Sequence, residues 1–465
     1  MSRVIAFVLA AATLAAQPAP KVRLPQYTRE VLANGAVLDL MPRQGVPLVS
    51  VLVLVKGGAE SDPAELAGLS SLTAELLRRG TPTRTADKFS EELDFIGATF
   101  SARADLQSTV IATEFMSKDT DRALDLLSDA VLHPTFPEEE VKKALSQRIE
   151  ASKASKDSPQ GAAASYFQVF FFGPQHPYGR LASGDELSLK RIDRAAIAAQ
   201  HARMFVGSNL IVIAAGDFEA ADMRARLAKA FAAAPAGKAY EWQKDRPAAG
   251  GSGPRLLLVD KPDAVQTYFW IGNAGISRTH PDRVPVWIVN TLFGGRFTSM
   301  LNDELRVNSG LTYGASSRAE TNRLTGRIAI FSYTRTDSTV KAMDLALEVL
   351  KRLREKGISA EQLASAKAYL KGTFPSDRLE TSDQLAGALG EIELYGLSRA
   401  EIDDLFARID AVSVEQANEV VRKHFGAGDL VFTLVGNAAK IRDGVKKYAP
   451  QVTEIEITAP GYQVK

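Results

Sequence analysis

The chain has 465 residues, more than one hydrophobic core usually supports, so we expect at least two domains. Its 45% hydrophobic and 24% charged residues are ordinary for a globular protein, and 56 Lys and Arg against 55 Asp and Glu leave a formal charge of +1, which argues against a nucleic-acid partner. Cysteine is absent, which excludes thiol catalysis, thiolate metal ligands and disulfides.

The N-terminus has the pattern of a secretory signal. Arg3 precedes a largely apolar run over residues 4–16, and Gln17 and Pro18 follow it. Such a run is shorter than the about 20 residues that a membrane-spanning helix needs, and it suits the hydrophobic region of a signal peptide. No A-x-A cleavage site is clean, so a retained membrane anchor is the alternative. We predict a signal peptide over residues 1–24 and an exported, periplasmic mature chain.

Strand and helix patterns alternate through the first half of the chain. An Asn-Gly turn at residues 34–35 between two short apolar runs predicts a hairpin, and the apolar run 48–55 predicts a buried strand. Apolar spacing predicts helices at residues 64–79, 87–96, 120–132, 138–153 and 195–205, and strands near 107–115 and at 210–216. Alternation with short gaps indicates a mixed α+β fold.

The order of elements then repeats. The segment RMFVGSNLIVIAAG reappears as KHFGAGDLVFTLVG, with Phe205 of the first lying 220 residues before Phe425 of the second. The predicted helices near Asp121 and Lys341 have the same offset of 220 residues. A period this long indicates a duplicated domain.

Composition places the boundary between the two copies. Residues 237–254 include several glycines and prolines and few apolar side chains, which is typical of a linker. We therefore predict two homologous α/β-sandwich domains, residues 25–236 and 255–465, each with a mostly antiparallel sheet and helices.

The segment FGGRFTSMLNDELRVNSGLTYGA, residues 293–315, is the most distinctive in the chain. The glycine pair Gly294 and Gly295 opens it, a helix-like pattern follows, and an Asn-Ser-Gly break separates Arg306 from Tyr313. A guanidinium forks onto a peptide carbonyl or carboxylate, and a phenol donates to an oxygen that gains negative charge. The alternative is structural: an Arg that bonds helix-end carbonyls and a Tyr packed in the core.

With these motifs the chain resembles the pitrilysin and insulinase family of zinc metallopeptidases, in the small two-domain branch that includes the mitochondrial processing peptidase subunits. The most specific motifs are G-G-x-F-x-S-x-L at residues 294–301 and L-R-x-x-x-G-L-x-Y-G at residues 305–314. Supporting matches lie at residues 176–179, 216–217, 266–272 and 280–282. The resemblance covers essentially the whole mature chain and implies that the two domains form half of a clam-shell chamber.

Active members of that family carry an inverted zinc motif, His-x-x-Glu-His, on the first long helix. Here the flanking Gly68-Leu69 and Gly80-Thr81 are present, but the three motif positions hold Ser71, Ala74 and Glu75. Catalytic zinc needs three protein ligands and an open position for a water whose proton a carboxylate accepts. A hydroxyl, a methyl group and one carboxylate do not supply this, so we predict that this chain binds no metal there.

Other residues offer no substitute in the sequence. The resemblance places the third zinc ligand of the family near Glu150 or Ala151, and Glu75 forms an i,i+4 pair with Arg79 that is worth a few tenths of a kcal/mol. The alternative for Glu75 is the remnant of a former active site. The histidines are scattered, with no two at metal-ligand spacing on one helix: His133, His176, His201, His280 and His424.

In active relatives the equivalents of Arg306 and Tyr313 reach across the chamber to the substrate at the zinc. The retained pair beside the lost zinc motif therefore suggests a non-zinc subunit of a heterodimer. A homologous His-x-x-Glu-His partner would hold the zinc and the general base, while this chain supplies Arg306 and Tyr313 in trans, with Gly294 and Gly295 beside a peptide substrate. Such a peptide would bind by strand addition to a sheet edge.

Two other functions were weighed against this one. A non-enzymatic structural subunit of a larger complex, like the core subunits of a respiratory complex that the same family supplies, fits the loss of the zinc motif equally well. A hydrolase with its own serine nucleophile would need a Gly-x-Ser-x-Gly turn and a positioned histidine. Gly251-Ser252-Gly253 lies in the predicted linker without that context, so we reject this reading.

Overall fold

Two six-stranded sheets, in two domains, form the framework of the computed structural model, which describes residues 22–244 and 253–464. All but the last three residues of the predicted signal peptide, and residues 245–252 of the predicted linker, lie outside the described residues. Within those residues, no helix combines the length and the apolar character needed to cross a membrane.

The first sheet has the strand order β1-β2-β6-β3-β5-β4. Its strands are β1 Thr28–Val31, β2 Val37–Pro42, β3 Leu48–Lys56, β4 Thr99–Ala104, β5 Ser108–Met116 and β6 Leu210–Gly216. The pairing of β2 with β6 is parallel and the other pairings are antiparallel. The predicted hairpin is confirmed, with Gly35 at the left-handed φ of 89° that its turn requires.

The described part of the first half also contains helices. They are α1 Leu69–Leu76, α2 Ala86–Phe95, α3 Thr120–Leu132, α4 Glu138–Ala154, α5 Pro159–Phe172, α6 Glu186–Leu189, α7 Arg194–Met204 and α8 Ala220–Ala230. The start predicted for the helix at residues 64–79 was wrong. Gly68 takes a φ of 96°, and a short 3₁₀ turn at Ala64–Leu66 precedes it, so α1 begins only at Leu69.

The second sheet repeats the first, with the order β12-β7-β11-β8-β10-β9. Its strands are β7 Arg255–Asp260, β8 Gln266–Ala274, β9 Ala315–Thr321, β10 Gly326–Arg335, β11 Val431–Gly436 and β12 Gln451–Glu456. The helices are α9 Arg283–Asn290, α10 Met300–Asn302, α11 Thr339–Lys356, α12 Ala360–Arg378, α13 Ser382–Tyr395, α14 Ala400–Asp403, α15 Leu405–Ala411, α16 Val414–His424 and α17 Ala438–Val445.

The internal repeat extends to backbone detail. Phe205 ends α7 with φ −90° and ψ 58°, and Phe425 ends α16 with φ −93° and ψ 68°. The edge strands differ, because β1 runs antiparallel to β2 whereas β12 runs parallel to β7. The duplication and the mixed, mostly antiparallel sheets are therefore as the sequence predicted.

The two halves exchange one helix each. Helix α5, from the first half, packs on β8 and β11 of the second sheet, where Phe167 stacks on Trp270 with ring centroids 5.2 Å apart. Helix α13, from the second half, packs on β3 and β6 of the first sheet. Gly390 of α13 lies so close to that sheet that an added Cβ would approach Leu54 to 2.8 Å. Each sheet is thus covered by a helix of the other half.

The ends of the described chain cross over in the same way. The amide of Leu24 donates to Asp403 in the second half at 2.9 Å, and Arg399 donates to the carbonyl of Leu24 at 2.8 Å. At the other end Tyr462 is 2% exposed, and its ring centroid lies 4.7 Å from that of Tyr166 on α5. Both terminal segments therefore add to the contact between the halves.

A buried carboxyl group lies under α13. Asp39 is on the same face of β2 as Val37 and Met41, which belong to the apolar cluster that contains α13 residues. It is fully buried, and neither carboxylate oxygen has a hydrogen-bond partner among the described residues. Burial, and after it the nearby Glu393, raise the pKa of Asp39 from 3.8 to about 7. Ionisation of Asp39 therefore opposes folding, increasingly so between about pH 4 and pH 7.

We predict that Asp39→Asn stabilises the protein at pH 8 and much less at pH 5, because the folded-state pKa lies above the unfolded one. The expected gain at pH 8 is about 1–3 kcal/mol in the free energy of unfolding, measured by urea denaturation at both pH values. The exposed Asp87→Asn is the matched control and should change little at either pH. A gain that is equal at pH 5 and pH 8 would contradict the assignment.

Candidate functional site

The three positions of the altered zinc motif lie on α1. Ser71 and Glu75 are half-buried, four residues apart on one face of the helix, whereas Ala74 is fully buried in the core. The start of α1 is held by Asp62, whose carboxylate accepts hydrogen bonds from the amides of Gly68 at 3.1 Å and Ser70 at 2.9 Å. These bonds fix the start of α1 without using the side chains at positions 71, 74 and 75.

Arg148 of α4 fills the space between Ser71 and Glu75. Its Nε donates to Glu75 Oε2 at 2.6 Å, and its two terminal nitrogens donate to the hydroxyl and the carbonyl of Ser71, both at 3.0 Å. Arg79 approaches the other oxygen of Glu75 at 3.5 Å. The lone pairs of the cluster are thus taken by two guanidinium groups, which carry permanent positive charge.

The residues of this cluster do not fit a zinc ion. They offer one carboxylate and one hydroxyl instead of three ligands, and a metal cation placed there would be repelled by Arg148 at close range. Sequence reasoning missed Arg148, although a signal was present. Val141 and Ala144 are buried on the face of α4 that packs with α1, and Arg148 follows them at the i+7 position of the same face.

The residues near the expected third ligand are not part of this cluster. Glu150 and Ala151 are exposed, and the carboxylate of Glu150 accepts from Lys153 at 2.7 Å. A helix turns by about 100° per residue, so position 150 faces roughly the opposite side of α4 from Arg148.

The distinctive segment of the second half forms an irregular loop, not the regular helix that its pattern suggested. Wide π turns at Thr291–Gly295 and Asp303–Asn308 flank the single α turn of α10. Gly294 is buried, and a Cβ there would come within 2.3 Å of the amide nitrogen of Ser317 on β9, so only glycine fits. Gly295 is exposed beside it.

Tyr313 points outward from this loop, and Arg306 is half-buried in it. The guanidinium of Arg306 lies 4.7 Å from the ring centroid of Phe297 and makes no hydrogen bond or ion pair with any described residue. Tyr313 is 81% exposed and Phe297 68%. The amides of Leu311 and Thr312 donate to the carbonyl of Leu305, which brings residue 313 next to the turn that carries Arg306.

The structural alternative for the pair is therefore wrong within the described residues. Arg306 does not bond helix-end carbonyls through its side chain, and Tyr313 does not pack in the core. No hydrogen bond, ion pair or ring contact among the described residues joins either side chain to the cluster on α1. The two sites of the sequence analysis are separate.

Packing of α9 against α16 brings together two histidines that looked scattered in the sequence. Nε2 of His424 lies 2.7 Å from Oδ2 of Asp282, and the ligand atoms of His280, Asp282 and His424 lie within 4.8 Å of one another. Lys423 also donates to Oδ2 of Asp282, at 2.8 Å. Burial alone would raise the pKa of Asp282, but the hydrogen bonds from His424 and Lys423 lower it. The cluster is an ion-pair network whose carboxylate is already satisfied.

Two family models match this chain. The model of the insulinase family, peptidase family M16, matches residues 41–166, and that of the peptidase M16 inactive domain matches residues 191–370. Together the two ranges cover more than half of the 465 residues.

Similar proteins carry conflicting names. An uncharacterized zinc protease of Mycobacterium tuberculosis is 28% identical, over 86% of this chain and 92% of its own length. The non-peptidase homolog YmxG of Helicobacter pylori is 26% identical, over 83% of this chain and 88% of its own length.

Solved structures share the fold. The peptidase M16 inactive domain from Pseudomonas fluorescens superposes with a TM-score of 0.82 at 24% identity, covering 88% of this chain and 98% of its own. A protease from Helicobacter pylori superposes with a TM-score of 0.79 at 18% identity, covering 89% of this chain and all of its own.

We predict that zinc binding can be restored only if Arg148 is replaced. A Glu at position 148 would place its carboxylate near the present Nε, next to residues 71 and 75. The fourfold variant Ser71→His, Ala74→Glu, Glu75→His and Arg148→Glu should hold one zinc per chain, because it offers two imidazoles and a carboxylate. The threefold variant that keeps Arg148 should lose its zinc on dialysis.

The measurement is metal content after dialysis, followed by competition with a chromogenic chelator. Adding Lys142→Glu to the threefold variant is the control, because it makes the same charge change at an exposed position of α4. Equal zinc content in the threefold and fourfold variants would show that Arg148 does not control the site.

Proposed function

The chain belongs to the insulinase family, peptidase family M16, and on this premise we propose that it is the zinc-free subunit of an exported two-chain metallopeptidase. It is an inactive-type member, because Ser71, Ala74 and Glu75 stand where active members have His, Glu and His. The partner is a homologous chain with an intact His-x-x-Glu-His motif, which holds the zinc and the general base. This chain contributes Arg306 and Tyr313 to a peptide held there.

The observation that carries the proposal is the contrast between the two halves. The cluster on α1 is closed by Arg148, with its polar atoms bonded to one another. Tyr313 is exposed and Arg306 is half-buried, and the Arg306 guanidinium lies over the ring of Phe297 and makes no hydrogen bond or ion pair with any described residue. A guanidinium and a phenol left free in this way are available to a carbonyl or an oxyanion from outside the chain.

The sheet edges favour one place for a peptide on this chain. The outer edge of β9 is partly used, because Asn290 donates to the carbonyl of Ser317 at 3.2 Å and Asn302 accepts from the amide of Ala315 at 3.4 Å. One of the two outer strands of the first sheet, β4, pairs only with β5 among the described strands and packs beside α1. Strand addition to β4 would lay a peptide in the first half.

The test is peptidase activity of three samples: this chain, the purified partner and their mixture. The partner is to be found by co-purification from the native host and checked for the His-x-x-Glu-His motif. We expect no activity from this chain, weak activity from the partner and a large gain on mixing. Stable co-purification without a gain in activity would instead favour the non-enzymatic structural subunit.

The trans role predicts a specific kinetic defect. Arg306→Ala or Tyr313→Phe should lower kcat of the mixture roughly 10- to 100-fold, because each removes a donor to the charge that develops in the transition state. The affinity between the two chains, measured by calorimetry, should be unchanged. Arg335→Ala and Tyr27→Phe are the controls, since Arg335 is exposed and Tyr27 is half-buried, and both lie outside residues 293–315. An unchanged kcat in the Arg306 and Tyr313 variants would remove the pair from the mechanism.

A further inference from the structure

A cavity of about 310 Å³ lies among the helices of the second half, apart from the two sites described above. Helices α9, α12, α13 and α14 and strand β9 form its walls. Its lining includes apolar side chains, among them Trp287, Phe374, Ile392 and Leu405. It also includes charged groups, of which Asp377 and Arg378 are exposed at the mouth. The cavity therefore offers both apolar and charged surface.

Arg278 is the central charged group of this cavity. It is only 7% exposed. Its Nε donates to Glu391 at 2.8 Å and its Nη2 to Glu401 at 3.0 Å. Its Nη1 is buried and has no hydrogen-bond partner among the described residues. A buried guanidinium nitrogen left without an acceptor is costly, so an acceptor from outside the chain would relieve it.

Positive charge exceeds negative charge around this group. Arg283 and Arg408 both bond Glu401, and Arg378 bonds Glu391 at 2.6 Å. Four guanidinium groups, counting Arg278, therefore share two carboxylates, and the exposed Asp377 at the mouth adds a third carboxylate. Burial, and after it the neighbouring Arg278, lower the pKa of Arg283 to about 10. The cluster favours an anion and disfavours a metal cation.

We propose that this cavity binds an organic carboxylate with an apolar group, whose carboxylate accepts from Nη1 of Arg278 and whose apolar part packs against Trp287 and Phe374. A guanidinium fork matches a planar carboxylate, and the aromatic wall accounts for the apolar part. The carboxylate belongs either to a free small acid or to the C-terminus of a peptide. The site is independent of the proposed subunit function, because it uses neither Arg306 nor Tyr313.

The test uses two matched pairs of probes on the full chain. The first pair is 3-phenylpropionate and its amide, and the second is a tetrapeptide ending in Phe with a free or an amidated C-terminus. Binding is followed by calorimetry and by the fluorescence of Trp287, assigned with Trp287→Phe. We expect at least one of the two acids to bind saturably and at least 10-fold more tightly than its amide.

The pattern of binding identifies the source of the carboxylate. Binding of 3-phenylpropionate alone indicates a free small acid, and binding of the free-acid peptide alone indicates a peptide terminus. Failure of both acids to bind, or equal binding of acid and amide, overturns the proposal.

Variants separate the site from general stability. Arg278→Gln should abolish the preference for acid over amide. Because that change also leaves Glu391 and Glu401 with one partner fewer, Ala388→Leu is a second variant, which narrows the cavity without altering charge and should weaken binding of the acid at least 10-fold. Arg327→Gln is the control, since Arg327 is equally buried but pairs with Glu320 outside the cavity. Unchanged acid binding in both Arg278→Gln and Ala388→Leu would overturn the assignment.

Discussion

The exchange of α5 and α13 between the two sheets is the contact on which the rest of the molecule depends. Phe167 of α5 stacks on Trp270 of the second sheet, and Gly390 of α13 lies against Leu54 of the first. Each sheet needs a helix of the other half to bury its apolar face, so the free energy of burial acts between the halves as well as within them. The relative position of α1 and the Arg306 loop is therefore determined by packed helices.

The α1 cluster contains a positive charge, the Arg148 guanidinium, but it lacks the groups that zinc catalysis needs. A guanidinium supplies a cation and five N–H donors, and three of the contacts seen here hold it to Ser71 and Glu75. It has no vacant coordination position, so it cannot bind a water and lower its pKa as a catalytic metal does. The half-buried Arg306 and the exposed Tyr313 differ from this cluster, since their side-chain polar groups form no hydrogen bond or ion pair within the described part of the chain.

Local patterns predicted much of the fold. Helix α3 and strand β6 have the predicted bounds, and the 220-residue offset anticipated the repeated sheet, because these features depend on neighbours in sequence. Features that depend on distant residues were missed. The start of α1 was misplaced because it is set by the left-handed Gly68 and by Asp62, and the π turns around α10 have no simple apolar period.

The candidate sites show the same difference between features set by neighbouring residues and features set by distant ones. The motif identified Arg306 and Tyr313, but only the structure shows that Tyr313 is exposed and that the Arg306 side chain has no hydrogen-bond or ion-pair partner among the described residues. Arg148 bonds a residue 77 positions away, His424 pairs with an aspartate 142 positions away, and Arg278 bonds a glutamate 113 positions away. No local spacing joins such pairs. The α4 face through Val141 and Ala144 was the one sequence signal that could have found Arg148.

The Arg148 bridge changes how this chain responds to its surroundings. A bound ion exchanges with solution and can be withdrawn by a chelator or by scarcity of the metal, and its ligands compete with protons. A guanidinium is part of the covalent chain and keeps its charge across the physiological pH range. In a two-chain enzyme of the proposed kind, metal starvation would therefore silence the zinc-bearing chain while the electrostatics of this one stayed unchanged, ready for its partner to be reloaded.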